Sequence, residues 1–211
     1  MNETALERIG GFKFTVYPTV FNPRAFYSSE YFAEFINGLN GLKGKQVLDM
    51  GCGTGIVSVF AASKGAVCLA VDKNPMSVKA SLQNSLQNRL KDNIESIESD
   101  LYDRIGKSNK FDFIFFNPPY YKGEPKKQIE YAFKAGENYE VINDFINGSK
   151  NYLAKDGIIY LIISSDIPMG IIEESFRSAG FSFEIFKKID RFFETFYITK
   201  SFLNINREKT K

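Results

Sequence analysis

The sequence predicts an α/β protein built on one mostly parallel, seven-stranded sheet, with helices on both faces and an antiparallel hairpin at the C-terminal end. Three observations predict it. Short apolar runs rich in β-branched and aromatic residues alternate with stretches of helical spacing between residues 45 and 179. The runs at 66–71, 111–116 and 157–164 are almost wholly apolar, as strands covered on both faces must be. Two further β-rich runs, 181–189 and 192–200, are separated only by Asp190-Arg191, which leaves room for a turn and none for a crossover helix.

Taken in order, residues 11–21 alternate in part and read as a short hairpin or an extended lead-in. Over 28–39, Phe32, Phe35, Ile36 and Leu39 recur at helical spacing, with Ser28 or Ser29 as the cap. Gly41 and Gly44 punctuate, a strand at 45–49 runs into Gly51-Cys52-Gly53-Thr54-Gly55, and 56–63 is helical. A second strand, 66–71, ends at Asp72; Asn74 then caps a helix with Pro75 at its first position and Leu82, Leu86 and Leu90 as an i, i+4 stripe. Residues 94–99 form a weaker third strand, and 111–116 a fourth that ends in Asn117-Pro118-Pro119-Tyr120. A polar loop with lysines at 122, 126 and 127 follows, then helical spacing through Val141, Ile142, Phe145, Ile146 and Leu153. A strand at 157–164 and a helix at 171–179, stopped by Gly180, lead to the closing hairpin, whose phenylalanines read as core. There is no internal repeat or linker: residues 1–40 are a lead-in to the same unit, 41–205 its body, and 206–211 a basic tail.

Composition narrows the chemistry. At 211 residues with 44% apolar content the chain suffices for one domain with a sizeable core. The formal charge is +2 and spread along the chain, without the basic bias typical of proteins that grip many phosphates. No stretch approaches the roughly 18 apolar residues of a membrane span, and the N-terminal residues have no export pattern. With two cysteines, Cys52 and Cys68, the chain reads as cytoplasmic with reduced thiols. It contains no histidine, which excludes imidazole bases, Ser-His-Asp and Cys-His nucleophile systems and ordinary His-containing zinc sites; no metal is expected.

Two places carry chemistry. The first is the glycine loop at 51–55, where the first strong strand turns into a helix. Ligands of open α/β sheets bind outside the carboxyl ends of the strands, and glycines let backbone N–H groups approach them. Asp49 precedes the loop, and Asp72 ends the next strand, where an acid can accept hydrogen bonds from a ribose. The dinucleotide pattern G-x-G-x-x-G fails, because its third glycine would fall on Ile56 or Ser58. Cys52 and Cys68 read as packing residues rather than nucleophiles.

The second place is Asn117-Pro118-Pro119-Tyr120. A planar amide or aromatic amine has a delocalised lone pair and is a poor nucleophile. Two acceptors holding its N–H groups orient the nitrogen and stabilise the charge that develops on it. The Asn117 side-chain oxygen and the Pro118 carbonyl are the natural pair, Pro118 and Pro119 stiffen the loop, and Tyr120 offers a ring for stacking.

The D-x-G-x-G-x-G run from Asp49 to Gly55 resembles motif I of class I S-adenosylmethionine (SAM) methyltransferases, and Asn117-Pro118-Pro119-Tyr120 resembles motif IV of their amino-methylating members. The resemblance implies a Rossmann-like fold, SAM as cofactor, and a cofactor site of Asp49, Gly51, Cys52, Gly53, Gly55, Asp72, Lys73, Asp100, Leu101 and Asn117, with Asp100 near the adenine. It further implies catalytic roles for Asn117, Pro118 and Tyr120. Three looser stretches are similar to the HemK-type protein-glutamine N5-methyltransferases. These are Phe21-Asn22-Pro23-Arg24; residues 135–140 against A-G-G-x-x-G, with Gly136 matched and the later glycines replaced; and Phe192-Phe193-Glu194-Thr195. The implied substrate contacts are Pro119, Tyr120, Tyr121 and Arg24. A protein glutamine is the favoured acceptor, with an exocyclic amine of adenine or guanine in RNA or DNA as the alternative. A small-molecule acceptor or a non-catalytic SAM-binding scaffold comes behind both.

Overall fold

A computed structural model describes residues 3–24, 27–191 and 194–204. Its main sheet has seven strands: β3 (Gln46–Met50), β4 (Val67–Asp72), β5 (Ile94–Glu98), β6 (Phe111–Phe116), β7 (Leu153–Ser164), β8 (Glu184–Arg191) and β9 (Glu194–Ser201). They lie in the order β5-β4-β3-β6-β7-β9-β8, parallel except for β9, which runs back between β7 and β8. The chain moves outward from β3 to β5 and returns to β3's other side as β6. The order therefore reverses between β3 and β6, and a cleft opens beyond their carboxyl ends.

Period-two alternation divides the sheet's apolar side chains between two layers. Phe115, Tyr160 and Ile162 face a core shared with α1 (Tyr27–Gly38) and α2 (Ile56–Ser63). Ile114, Phe116, Ile159, Leu161 and Ile163 face the opposite core, shared with α4 (Glu140–Ser149) and α5 (Met169–Ser178). Burial on both sides is why these strands read as continuous apolar runs.

Several expectations change. The lead-in is a hairpin, but it starts earlier: β1 (Ala5–Ile9) pairs with β2 (Phe12–Val16) through Gly10-Gly11, both at positive φ (54° and 87°) as a two-residue hairpin turn requires. Helix α1 begins at Tyr27, so Ser28 and Ser29 lie within its first turn instead of capping it; both are buried. Helix α3 (Pro75–Gln87) has the expected cap, the Asn74 side chain accepting from the Met76 N–H at 3.0 Å. Its leucines, however, do not make the contact face. Leu82 and Leu86 are about half exposed, while Ser77, Ala80, Ser81, Asn84 and Ser85 are buried. The reason is the hairpin docked on this helix: Asn84 accepts from the Thr15 N–H at 2.8 Å and donates to the Thr15 and Thr54 carbonyls at 3.1 and 2.8 Å. Small and amide side chains suit that close, hydrogen-bonded approach. Leu153 opens β7 instead of extending the α4 stripe. In the closing pair Phe181 and Phe196 are core, but Phe186, on edge strand β8, is about half exposed. Asp190 and Arg191 belong to β8; Phe192, Phe193 and the basic tail lie outside the described residues.

Gly55 starts α2 in the left-handed region (φ 74°), and a Cβ there would lie 2.6 Å from Ser81 Oγ and 3.1 Å from the Ser81 Cα. Gly55→Ala is therefore expected to destabilise the fold by about 3 kcal/mol, combining overpacking with an unfavourable φ. A chemical-denaturation midpoint equal to that of the parent chain would show that the loop yields freely.

Candidate active site

The cleft beyond β3 and β6 spans about 1100 Å³ of space that is continuous with open solvent. Its floor is the glycine loop. Gly53, at φ 54°, has no atom within 4 Å of where a Cβ would project, so its backbone faces free space.

A buried acid, Asp49, and a partly buried one, Asp72, hold this loop in shape. Asp49 Oδ2 accepts from the Ser58 N–H at 3.0 Å and the Ser58 hydroxyl at 2.7 Å, tying the end of β3 to α2 across the turn. Asp72 Oδ2 accepts from the Gly53 N–H at 2.9 Å and Oδ1 from the Asn74 N–H at 2.8 Å, so one carboxylate spans the glycine loop and the start of α3. Burial raises both carboxyls above their ordinary range, Asp49 to about 7. Ionisation of Asp49 thus disfavours the folded chain relative to the unfolded one, where the group titrates near 3.8. Stability from the protonated form is complete below pH about 4, declines as pH rises toward 7 and then levels off, a difference of about 4 kcal/mol. The melting temperature of the ligand-free chain minus that of Asp49→Asn is expected to fall between pH 4.5 and 7.5. A difference independent of pH would refute this.

The other expected cofactor residues gather here. Gly51, Cys52, Lys73, Asp100 and Leu101 line the cleft; Gly55 does not, and its neighbour Thr54, not expected from the sequence, does. Burial pushes the Cys52 thiol up, and the residue packs in the core as expected. Lys73 pairs with Asp100 at 3.6 Å and lies 4.2 Å from the ring centroid of Tyr131. Tyr131 comes from a 3-10 turn, Gln128–Ala132, in the loop after Tyr120. Its role was not legible in the sequence, nor was that of Thr19, Phe21 and Ser29, which also line the cleft from the lead-in. Phe21 stood in the Phe21–Arg24 stretch and Ser29 as a cap candidate, but no local pattern marks Thr19 or Tyr131, and only the fold brings these segments to the cleft.

Asn117, Pro118, Pro119 and Tyr120 form the opposite wall. Asn117 Nδ2 donates to Ser29 Oγ at 3.1 Å and Ser28 Oγ at 3.3 Å. Its Oδ1 is buried without a hydrogen-bond partner. Such an acceptor is expensive to leave unmet and is a place where a ligand N–H can be received. The Tyr120 hydroxyl shares a 3.0 Å hydrogen bond with Ser28 Oγ, and burial pushes its phenol up to about 12. Two of the expected substrate residues are not among those lining the cleft. Tyr121 is exposed and packs edge-on against Tyr120, and Arg24 is exposed and 3.8 Å from Glu30.

The profile of the family described as "Methyltransferase small domain" matches residues 12–187, most of the chain. The chain belongs to that family. The methyltransferase is 33% identical to a Methanocaldococcus jannaschii protein provisionally named a protein N5-glutamine methyltransferase, over 88% of this chain and 93% of the relative. It is 30% identical to ribosomal RNA small subunit methyltransferase C of Buchnera aphidicola, over 76% of this chain but only 39% of the relative. Among solved structures, the Thermus thermophilus 16S rRNA N2 G1207 methyltransferase, in complex with SAM and guanosine, superposes with a TM-score of 0.71. That match has 21% identity and covers 95% of this chain and 50% of that one. The methyltransferase is a SAM-dependent N-methyltransferase with the Rossmann-like sheet described above. The unobstructed backbone at Gly53, in the lining of the cleft, fits that cofactor.

Among the described residues no helix is long and apolar enough to cross a membrane.

Proposed function

We propose that this methyltransferase methylates a planar amide nitrogen, and that the acceptor is a glutamine side chain of a protein. The observation that carries the first half is the unpartnered Asn117 Oδ1 at the cleft wall, followed directly by two prolines. Together with the Pro118 carbonyl, this oxygen receives the two N–H groups of the acceptor and turns its nitrogen toward the cofactor side of the cleft. SAM supplies the methyl group as an electrophile on a sulfonium centre. The two acceptor oxygens offset the positive charge that grows on the nitrogen as its new N–C bond forms. The proton leaves to water afterwards, so no basic side chain is required, in keeping with a chain that contains no histidine. Tyr120 walls the acceptor's planar face, and Tyr121 and Arg24 stand farther out for the substrate's flanks.

The glycine loop, Asp49, Asp72, Lys73, Asp100 and Leu101 are the groups proposed to hold the cofactor. The free, buried thiols of Cys52 and Cys68 suit a reducing, cytoplasmic setting.

Two observations support a protein substrate. The relative matched over nearly its whole length is named for a glutamine, whereas the RNA-modifying relative above is matched over less than half of its own. Beside the Asn117 wall, burial raises the phenols of Tyr120 and Tyr121 and the nearby carboxylates of Glu194 and Asp166 add to it, acidic neighbours that suit a protein better than a phosphate backbone. Glu194 is held there by the Ser164 hydroxyl at 2.6 Å, at the end of β7. The deciding experiment is transfer of labelled methyl from SAM into a lysate of cells lacking this protein. Counts removed by protease are expected; counts removed by nuclease would establish an exocyclic base amine as the acceptor instead.

A further inference from the structure

The first turn of α1 carries two buried hydroxyls that face the active site across a gap of nearly ninety positions in the chain. Ser28 and Ser29 are 0% and 5% exposed, and their hydroxyls meet Asn117 and Tyr120. A carboxamide has two ends of nearly equal shape and opposite hydrogen-bonding sense. Were Asn117 reversed, its Nδ2 would present donors to an acceptor nitrogen that itself carries N–H groups, and the two would repel. The Asn117 backbone alone does not select between the two orientations. The selection falls to the serines: Asn117 Nδ2 donates to their two hydroxyl oxygens, at 3.1 and 3.3 Å, which leaves Oδ1 as the end without a partner. Tyr120 occupies Ser28 from the other side at 3.0 Å, which limits the rotation of that hydroxyl.

The turn that carries the serines is itself clamped. Arg191 stacks on the Tyr27 ring with its guanidinium carbon 3.1 Å from the centroid, and donates to the Tyr31 hydroxyl at 3.0 Å. We propose that Ser28 and Ser29 are positioning residues that hold the Asn117 carboxamide by its Nδ2 and so reserve Oδ1 for the acceptor's N–H. This rests on the reading of Asn117 as the group that receives the acceptor's N–H. In the sequence the serines look like a helix cap, and that alternative use is what the structure removes.

The test reads the amide directly. In ¹⁵N-labelled protein, the Asn117 side-chain pair is the one missing from the Asn117→Ala spectrum. The proposal expects its N–H groups to exchange slowly with solvent in the parent chain. In Ser28→Ala/Ser29→Ala exchange should accelerate by about tenfold or more, with methyl transfer into the lysate pool reduced by about 10- to 100-fold. SAM affinity should stay within about threefold, because the serines act on the acceptor side. If the double variant fails to fold, Ser29→Ala, which keeps the Ser28–Tyr120 pair, reads the same amide. Unchanged exchange and unchanged transfer would overturn the proposal, as would a parent amide that exchanges freely. Full transfer by Asn117→Ala would instead overturn the reading of Asn117, while amide exchange in the parent chain still reported what the serines hold.

Discussion

Replacing Asn117 with alanine is expected to reduce methyl transfer by about 10²- to 10³-fold, the loss typical when one preorganised hydrogen-bonding group is removed from the site of charge development. The affinity for SAM should change by less than about threefold, because the glycine loop and both of its acids are untouched. Stability is informative as well. The substitution deletes a buried oxygen that has no partner in the free chain, but also the two Nδ2 bonds to Ser28 and Ser29, so the two effects oppose and the melting temperature should change little. An enzyme that becomes inactive without losing stability carries a group retained for function rather than for folding. Turnover of Asn117→Ala at the parent rate, measured on the lysate acceptor, would mean that the nitrogen is oriented by some other group.

Replacing Asp72 with alanine is expected to act on the other substrate. Both of its oxygens are engaged, one on the Gly53 N–H and one on the Asn74 N–H, so the change releases the glycine loop and the start of α3 together. SAM binding should weaken by about 10²-fold, equivalent to roughly 3 kcal/mol, with a lower melting temperature alongside. Asp72→Asn retains one acceptor oxygen and should fall between the two. Equilibrium binding of labelled SAM checks the series, and an alanine variant that binds within threefold of the parent would detach Asp72 from the cofactor site. The sequence suggested a ribose acceptor at this position; the structure adds that the carboxylate shapes the loop as well.

Much of this molecule is legible along the chain, where the governing physics is local. The α2 and α3 starts, the apolar strands and the glycine loop follow from backbone conformation, side-chain alternation and residues adjacent in sequence. The β1–β2 hairpin was legible in principle, since Gly10-Gly11 is the turn signal for a two-residue connection, although the alternation was visible only on its second half. The leucines of α3 mislead because spacing shows that a helix has a stripe without showing what docks beside it. Here the neighbour is a hairpin bound through Asn84, which leaves Leu82 and Leu86 toward solvent, while Leu90, beyond the end of α3, packs partly buried against the core.

By itself, the sequence determined the sheet, the glycine loop and the Asn117–Tyr120 wall, because each is encoded within a few consecutive residues and each residue type there has a conformational or hydrogen-bonding reason. Only the tertiary structure decided what stands behind and above those motifs. Ser28 and Ser29 come to Asn117, Arg191 to Tyr27, and Tyr131 to Lys73 through folding of segments remote in sequence. The orientation of a carboxamide is set by such partners, since its two ends differ little in shape and acquire distinct roles only from the donors and acceptors packed around them.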